Sequence, residues 1–333
     1  MSTLNWFKLT ALAAIWGSSF IFMKILVPVI GVLPTACLRI LISGLVLTLG
    51  MKTLGMDLEF KKHFRHYLTV GVLNAALPFF LYSFAALHAP SSLSVIMNST
   101  TPIFGAVFAL IWLDEKMSWK KGAGFLIGTS GVTLIALTGS HGSASNANGL
   151  SLMTLMAALA GLTAAACYAL SGIYMKRFAP SVRSYSMAAL SHLLGGLLLS
   201  PFALMEWAGH PSSPALYESR TWVALLCLSL LCSSIGFLIF YHLFDRVGPT
   251  QTLMVGYLIP AFGILWGALF LGETIRMEMV LGTLLILGAV ALISMKKPVS
   301  EPRALTKEQL DALIQNELVA DAASTTSTGT MVS

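Results

Sequence analysis

Lys24 and Arg39 are the two cations that fall inside long apolar stretches of this chain, and no Asp or Glu falls in the middle of any such stretch. A guanidinium exposed to hydrocarbon costs several kcal/mol, so Arg39 must face a protein interior or a wet cavity. Lys24 lies near the end of its stretch and could either run its ammonium out to the interface or anchor a ligand. On adjacent helices and toward the same side, the pair would suit an anionic group such as a carboxylate. Without mid-span carboxylates, neither an intramembrane aspartyl protease nor a carboxylate proton relay can be built. His192 and His242 are the in-span groups that titrate near neutrality, readable as proton-coupling residues or as hydrogen-bonded packing residues.

Neutral polar side chains gather near helix breakers. Asn74, Tyr82, Asn98, Tyr168, Tyr241 and Tyr257, with the mid-span Trp16, are the candidate substrate contacts beside Lys24 and Arg39. Pro78, Pro102, Gly236 and Pro260 are the candidate hinge or kink positions. A proline frees a backbone carbonyl and bends the helix, which in transporters often marks a binding site near the bilayer midplane, and elsewhere only improves packing. Asn98 precedes Pro102 by one turn, where a carbonyl is freed. No catalytic residue is identified, because no Ser/His combination has a spacing that specifies chemistry. The four cysteines form no CxxC pair and read as small core residues, with no disulfide or metal role. No Gly-rich phosphate loop follows a strand, so no nucleotide and no other cofactor is expected.

The elements that must position these residues follow from composition. The chain is 56% hydrophobic and 10% charged, with mean hydropathy +0.81, against about 25% charged in soluble domains. Apolar stretches long enough for a ~30 Å hydrocarbon core recur near 8–27, 34–51, 67–87, 92–113, 122–138, 151–175, 184–204, 220–244, 250–271 and 278–295. Each should be a helix, since lipid offers no partner for an unpaired backbone group. The expected fold is therefore an all-α integral membrane protein of ten transmembrane helices.

Those ten divide into two. Pro102-Ile103-Phe104-Gly105, Glu115 and Gly124 return 158 positions later as Pro260-Ala261-Phe262-Gly263, Glu273 and Gly282. Pro78 falls on Gly236 at the same offset. Met23-Lys24 returns as Met175-Lys176, which lays Trp16 on Tyr168 and Ser19 on Ser171. Five helices per copy is an odd number, so the second copy must insert upside down, and substrate sites in such proteins lie where the halves meet. The expected organisation is a first repeat over 1–138, an external linker over 139–150, a second repeat over 151–297 and a cytoplasmic tail over 298–333. The cavity should be walled by the first, third, fourth, sixth, eighth and ninth helices, with Lys24 and Arg39 at its outer vestibule.

Basic residues set the orientation. With the N-terminus inside, sixteen of the twenty Lys and Arg fall on the cytoplasmic side, Arg220 and Arg276 fall outside, and Lys24 and Arg39 lie within spans. The positive-inside rule expects this bias. It places both termini in the cytoplasm of a multi-pass protein of the cell inner (plasma) membrane. It also accounts for the net charge of +6 through anionic lipid headgroups, not nucleic acid. The expected partners are a small-molecule substrate and membrane lipid, with the protein a monomer or homodimer.

Trp16-Gly17-Ser18-Ser19-Phe20-Ile21-Phe22-Met23-Lys24, then Pro34 with Leu38-Arg39, then the repeated Pro102…Leu113…Glu115…Gly124 pattern together resemble the EamA family of the drug/metabolite transporter superfamily over about residues 6–296. The resemblance implies ten helices, cytoplasmic termini, and export or exchange of amino acids or other small metabolites; no enzymatic activity is expected. The expected function is a secondary transporter, an exporter or exchanger of a small polar metabolite such as an amino acid, working by alternating access with a central site between the two halves. A receptor or scaffold, or a lipid-modifying enzyme, is the alternative.

Overall fold

The protein is described by a computed structural model over residues 1–88, 94, 97–113, 118–139, 152–209, 213–271 and 277–294, and among these the regular structure is entirely helical. The principal helices are α1 (Thr3–Ile30), α2 (Val32–Thr53), α3 (Phe60–His88), α4 (Thr101–Trp112), α5 (Trp119–Gly139), α6 (Leu152–Phe178), α7 (Ser184–Gly209), α8 (Ser219–Val247), α9 (Val255–Leu271) and α10 (Met277–Ser294). Six of them, α1, α2, α3, α6, α7 and α8, are long and apolar enough to cross a membrane; α4, α9 and part of α10 are shorter apolar helices. Glu115, Glu273, most of the linker and the tail lie outside the described residues.

The helices outrun the apolar stretches that announce them. α3 begins at Phe60, seven residues before the stretch expected from hydropathy. Its first two turns are amphipathic, with His63 and Tyr67 buried while Phe60 and Phe64 remain exposed. Glu59, at φ 47°, turns the chain into this helix. The Lys62 ammonium at 2.8 Å holds the Glu59 carboxyl below its usual range.

Two interruptions matter for the interior. In α3 the residues Val72–Ala76 form a π-helical segment just before Pro78, and in α8 a longer one, Cys227–Ile235, ends just before Gly236. Pro78 has no N–H for the Asn74 carbonyl four residues back, and its ring crowds that carbonyl, so the preceding turn widens. Ser233 and Ser234 reinforce the wider register in α8 by donating to the carbonyls of Leu228 and Ser229, each five residues earlier. Pro102, by contrast, sits in the first turn of α4, where its missing N–H costs nothing, whereas Pro260 lies inside α9.

α2 and α7 pack almost backbone to backbone: a Cβ on Gly44 would approach Leu193 Cα at 2.5 Å, and one on Gly196 would approach Leu41 Cα at 2.8 Å. The same two helices are clamped at one end. α1 turns into α2 through Gly31 alone, at φ 95°. Both carboxylate oxygens of Glu206 on α7 accept the first backbone amides of α2, Val32 N at 2.7 Å and Leu33 N at 2.9 Å. The carboxylate thus meets the positive end of the α2 dipole. Glu206→Ala should cost about 2 kcal/mol, because hydrogen bonds to a charged acceptor contribute about 1.5–3 kcal/mol. Thermal unfolding in detergent checks this, and an unchanged midpoint would show that water substitutes for the carboxylate.

Candidate functional site

A cavity of about 620 Å³, part of it open to the outside, lies among α1, α2, α3, α4, α6, α8 and α9. α1 contributes Trp16, Ser19, Phe20 and Met23, which recur at three- and four-residue spacing on one face. α3 contributes Asn74, Phe79 and Tyr82. Asn98 and Thr101 come from the turn into α4, Tyr168 from α6, Phe237 and Phe240 from α8, and Val255, Gly256 and Ile259 from α9.

Among the described residues, Arg39 is the one charged side chain in this lining. It is 4% exposed, and its described neighbours are neutral. Its Nε donates to Ser233 Oγ at 2.8 Å, Nη1 approaches Met23 Sδ at 3.7 Å, and the guanidinium carbon stands 3.9 Å over the Phe79 ring. Among the described residues its guanidinium forms no ion pair. The Phe79 face and one hydroxyl offset part of the desolvation of this cation, but a buried charge is fully compensated only by a paired anion.

The widened turn of α8 supports the opposite wall. Trp16 Nε1 donates to the carbonyl of Cys232 at 3.0 Å, the residue four before Gly236. Gly236 makes this possible: a Cβ there would stand 2.7 Å from the same indole nitrogen. The indole then packs against Phe237 and Phe240, with centroids 5.2 and 5.4 Å away. Tyr82 and Tyr168 stack at 6.0 Å, and Tyr82 Oη donates to Asn98 Oδ1 at 3.0 Å. Thr101 Oγ1 donates to the Asn98 carbonyl at 2.6 Å, satisfying the backbone where the chain turns into α4. The result is an aromatic-walled chamber with several neutral polar groups and one cation.

The model of the EamA-like transporter family matches residues 6–137 and 155–295. The chain belongs to the EamA-like transporter family. It is 26% identical to an uncharacterized transporter, YvbV, of Bacillus subtilis, over 89% of this chain and 93% of that one. It is 21% identical to a probable terminal-alkyne amino-acid exporter of Streptantibioticus cattleyicolor, over 84% of this chain and 89% of the relative. One solved crystal structure superposes with a TM-score of 0.68 at 18% identity, covering 88% of this chain and 97% of that one, a likeness of fold. An EamA-like chain with six helices among the described residues long and apolar enough to cross a membrane is a multi-pass membrane protein.

In this EamA-like chain, six of the nine residues expected to touch substrate line one cavity: Trp16, Arg39, Asn74, Tyr82, Asn98 and Tyr168. The structure does not bring Lys24 to them. It is exposed, and successive helical residues point about 100° apart, so Lys24 turns away from the buried Met23 beside it. Tyr241 and Tyr257 are buried outside the lining. Tyr241 Oη accepts from Asn74 Nδ2 at 3.1 Å, and Tyr257 packs beside Gly128 of α5. His242 is exposed and 2.9 Å from Lys8 Nζ. His192 is fully buried, its Nδ1 2.8 Å from the Ala188 carbonyl and its ring 4.4 Å from Phe237. Sequence reasoning missed Phe79, Phe237, Phe240 and Ser233. The Phe237-Phe240-Tyr241-Phe244 spacing on one face of α8 was the available signal.

Proposed function

We propose that this protein is a secondary transporter that exports or exchanges a small metabolite bearing an anionic group. It does so by alternating access around the chamber between two inverted five-helix halves. The observation that carries the reading is Arg39: a buried cation whose described neighbours are neutral, lining an aromatic-walled cavity. A carboxylate entering that cavity would receive the guanidinium's fork of donors in a low-dielectric site.

The inverted ten-helix organisation has three supports. The 158-residue sequence offset is one. The family match falls in two stretches on either side of the linker. The π segment Val72–Ala76, moved by the same offset, falls inside Cys227–Ile235. The distribution of basic residues supports cytoplasmic termini and a plasma-membrane location. Pro78 and Gly236 would be the paired hinge positions, because each closely follows a widened turn in which the regular hydrogen-bond register is broken. Of the two histidines, His192 has the burial that a coupling group needs. His242, exposed beside Lys8, does not.

Counterflow in proteoliposomes preloaded with a pool of amino acids and organic acids tests the reading. Accumulation of one labelled compound against its preload is the expected result. Saturable binding with no flux for any compound would instead favour a receptor.

A further inference from the structure

The chamber's charge distribution goes further and bears on which anion it holds. Building on the reading of Arg39 as a carboxylate anchor, we infer that the cavity selects compact monocarboxylates with an apolar or aromatic body over zwitterionic amino acids of the same skeleton.

The described lining carries one positive group and no acidic one. An α-ammonium is attached to the carbon next to the carboxylate. Binding the carboxylate to Arg39 therefore brings a second cation close to the guanidinium, with no acidic side chain in the described lining to pair with it. The acceptors of the described lining are all neutral, and several are already engaged. Asn98 Oδ1 receives Tyr82 Oη, the Asn98 carbonyl receives Thr101, and the Cys232 carbonyl receives Trp16. An ammonium needs up to three acceptors and would exchange water for the neutral ones that remain, with no charged acceptor among the described lining. The aromatic faces that could replace them by cation–π contact are partly spent. Phe79 already lies under Arg39, and Trp16 packs against Phe237 and Phe240. The same faces suit a body with no charge, which gains from burial against them.

Two isosteric trios test this on the purified full-length protein by titration calorimetry: 3-phenylpropionate, phenylalanine and 2-phenylethylamine, then 4-methylpentanoate, leucine and 3-methylbutylamine. In at least one trio the acid should bind at least about tenfold more tightly than the amino acid, with no measurable binding of the amine. Arg39→Gln should erase the difference. Equal or tighter binding of the amino acid, a preference that survives Arg39→Gln, or no binding in either trio would overturn the inference. Its failure is separable from failure of the carrier reading. Counterflow of an amino acid without acid preference overturns the selectivity and leaves the carrier standing, whereas absence of any flux overturns the carrier itself.

Discussion

Arg39→Gln should reduce counterflow of an anionic substrate at least about 30-fold while leaving thermal stability unchanged or higher. Truncating one partner of a buried, hydrogen-bonded charge pair costs about 2–5 kcal/mol, which is roughly 30- to 4000-fold in affinity. The stability half of the expectation separates this role from a structural one. A cation kept for packing would destabilise the fold when removed. A lone buried cation, held by a serine hydroxyl, a thioether and a ring face, instead carries a desolvation cost that a neutral amide avoids. Arg39→Lys keeps the charge but loses the planar fork, so flux should fall between the two. Normal flux in Arg39→Gln, or a lowered unfolding midpoint with flux retained, would contradict the assignment.

The second large effect concerns the α2–α7 contact. Gly44→Ala should destabilise the protein by about 3 kcal/mol or more, at the upper end of the usual cost of overpacking. The added methyl would meet Leu193 Cα at 2.5 Å and the His192 carbonyl carbon at 2.8 Å. These are backbone atoms of a helix and cannot swing aside, so α2 and α7 must separate, and Arg39 moves with α2. Gly50, on the same helix, has nothing within 4 Å of an added Cβ. Gly50→Ala should therefore be neutral or stabilising by up to about 1 kcal/mol from helix propensity. Thermal unfolding of the pair checks this, and equal midpoints would show that the helices do not pack as closely as described.

Much of the interior was legible because burying polarity in a membrane protein is expensive. Arg39, Asn74 and Asn98 stand out against apolar neighbours, and each lines the chamber. Lys24 and His242 stand out equally and do not, because the sequence of a membrane helix hides which way it faces. Both sides are apolar, so no amphipathic stripe marks the inner one. Phe237 in the chamber and the exposed Phe202 on α7 are for the same reason alike on paper. The π segments were half legible. Pro78 and Gly236 announce a disturbance, but a shift from four- to five-residue hydrogen bonding leaves no residue pattern of its own. Ser233, which holds Arg39, is one serine among several in α8 until that widened turn brings it opposite the guanidinium.

The central claim is that one chamber opens alternately to the two sides of the membrane. Its most direct test replaces Cys37, Cys167, Cys227 and Cys232 by alanine, installs Ser19→Cys in the chamber lining, and labels the thiol with a membrane-impermeant maleimide in right-side-out and inside-out vesicles. The account predicts labelling from both sides, with substrate slowing each. Labelling from one side only, unchanged by substrate or by preloading, would contradict it.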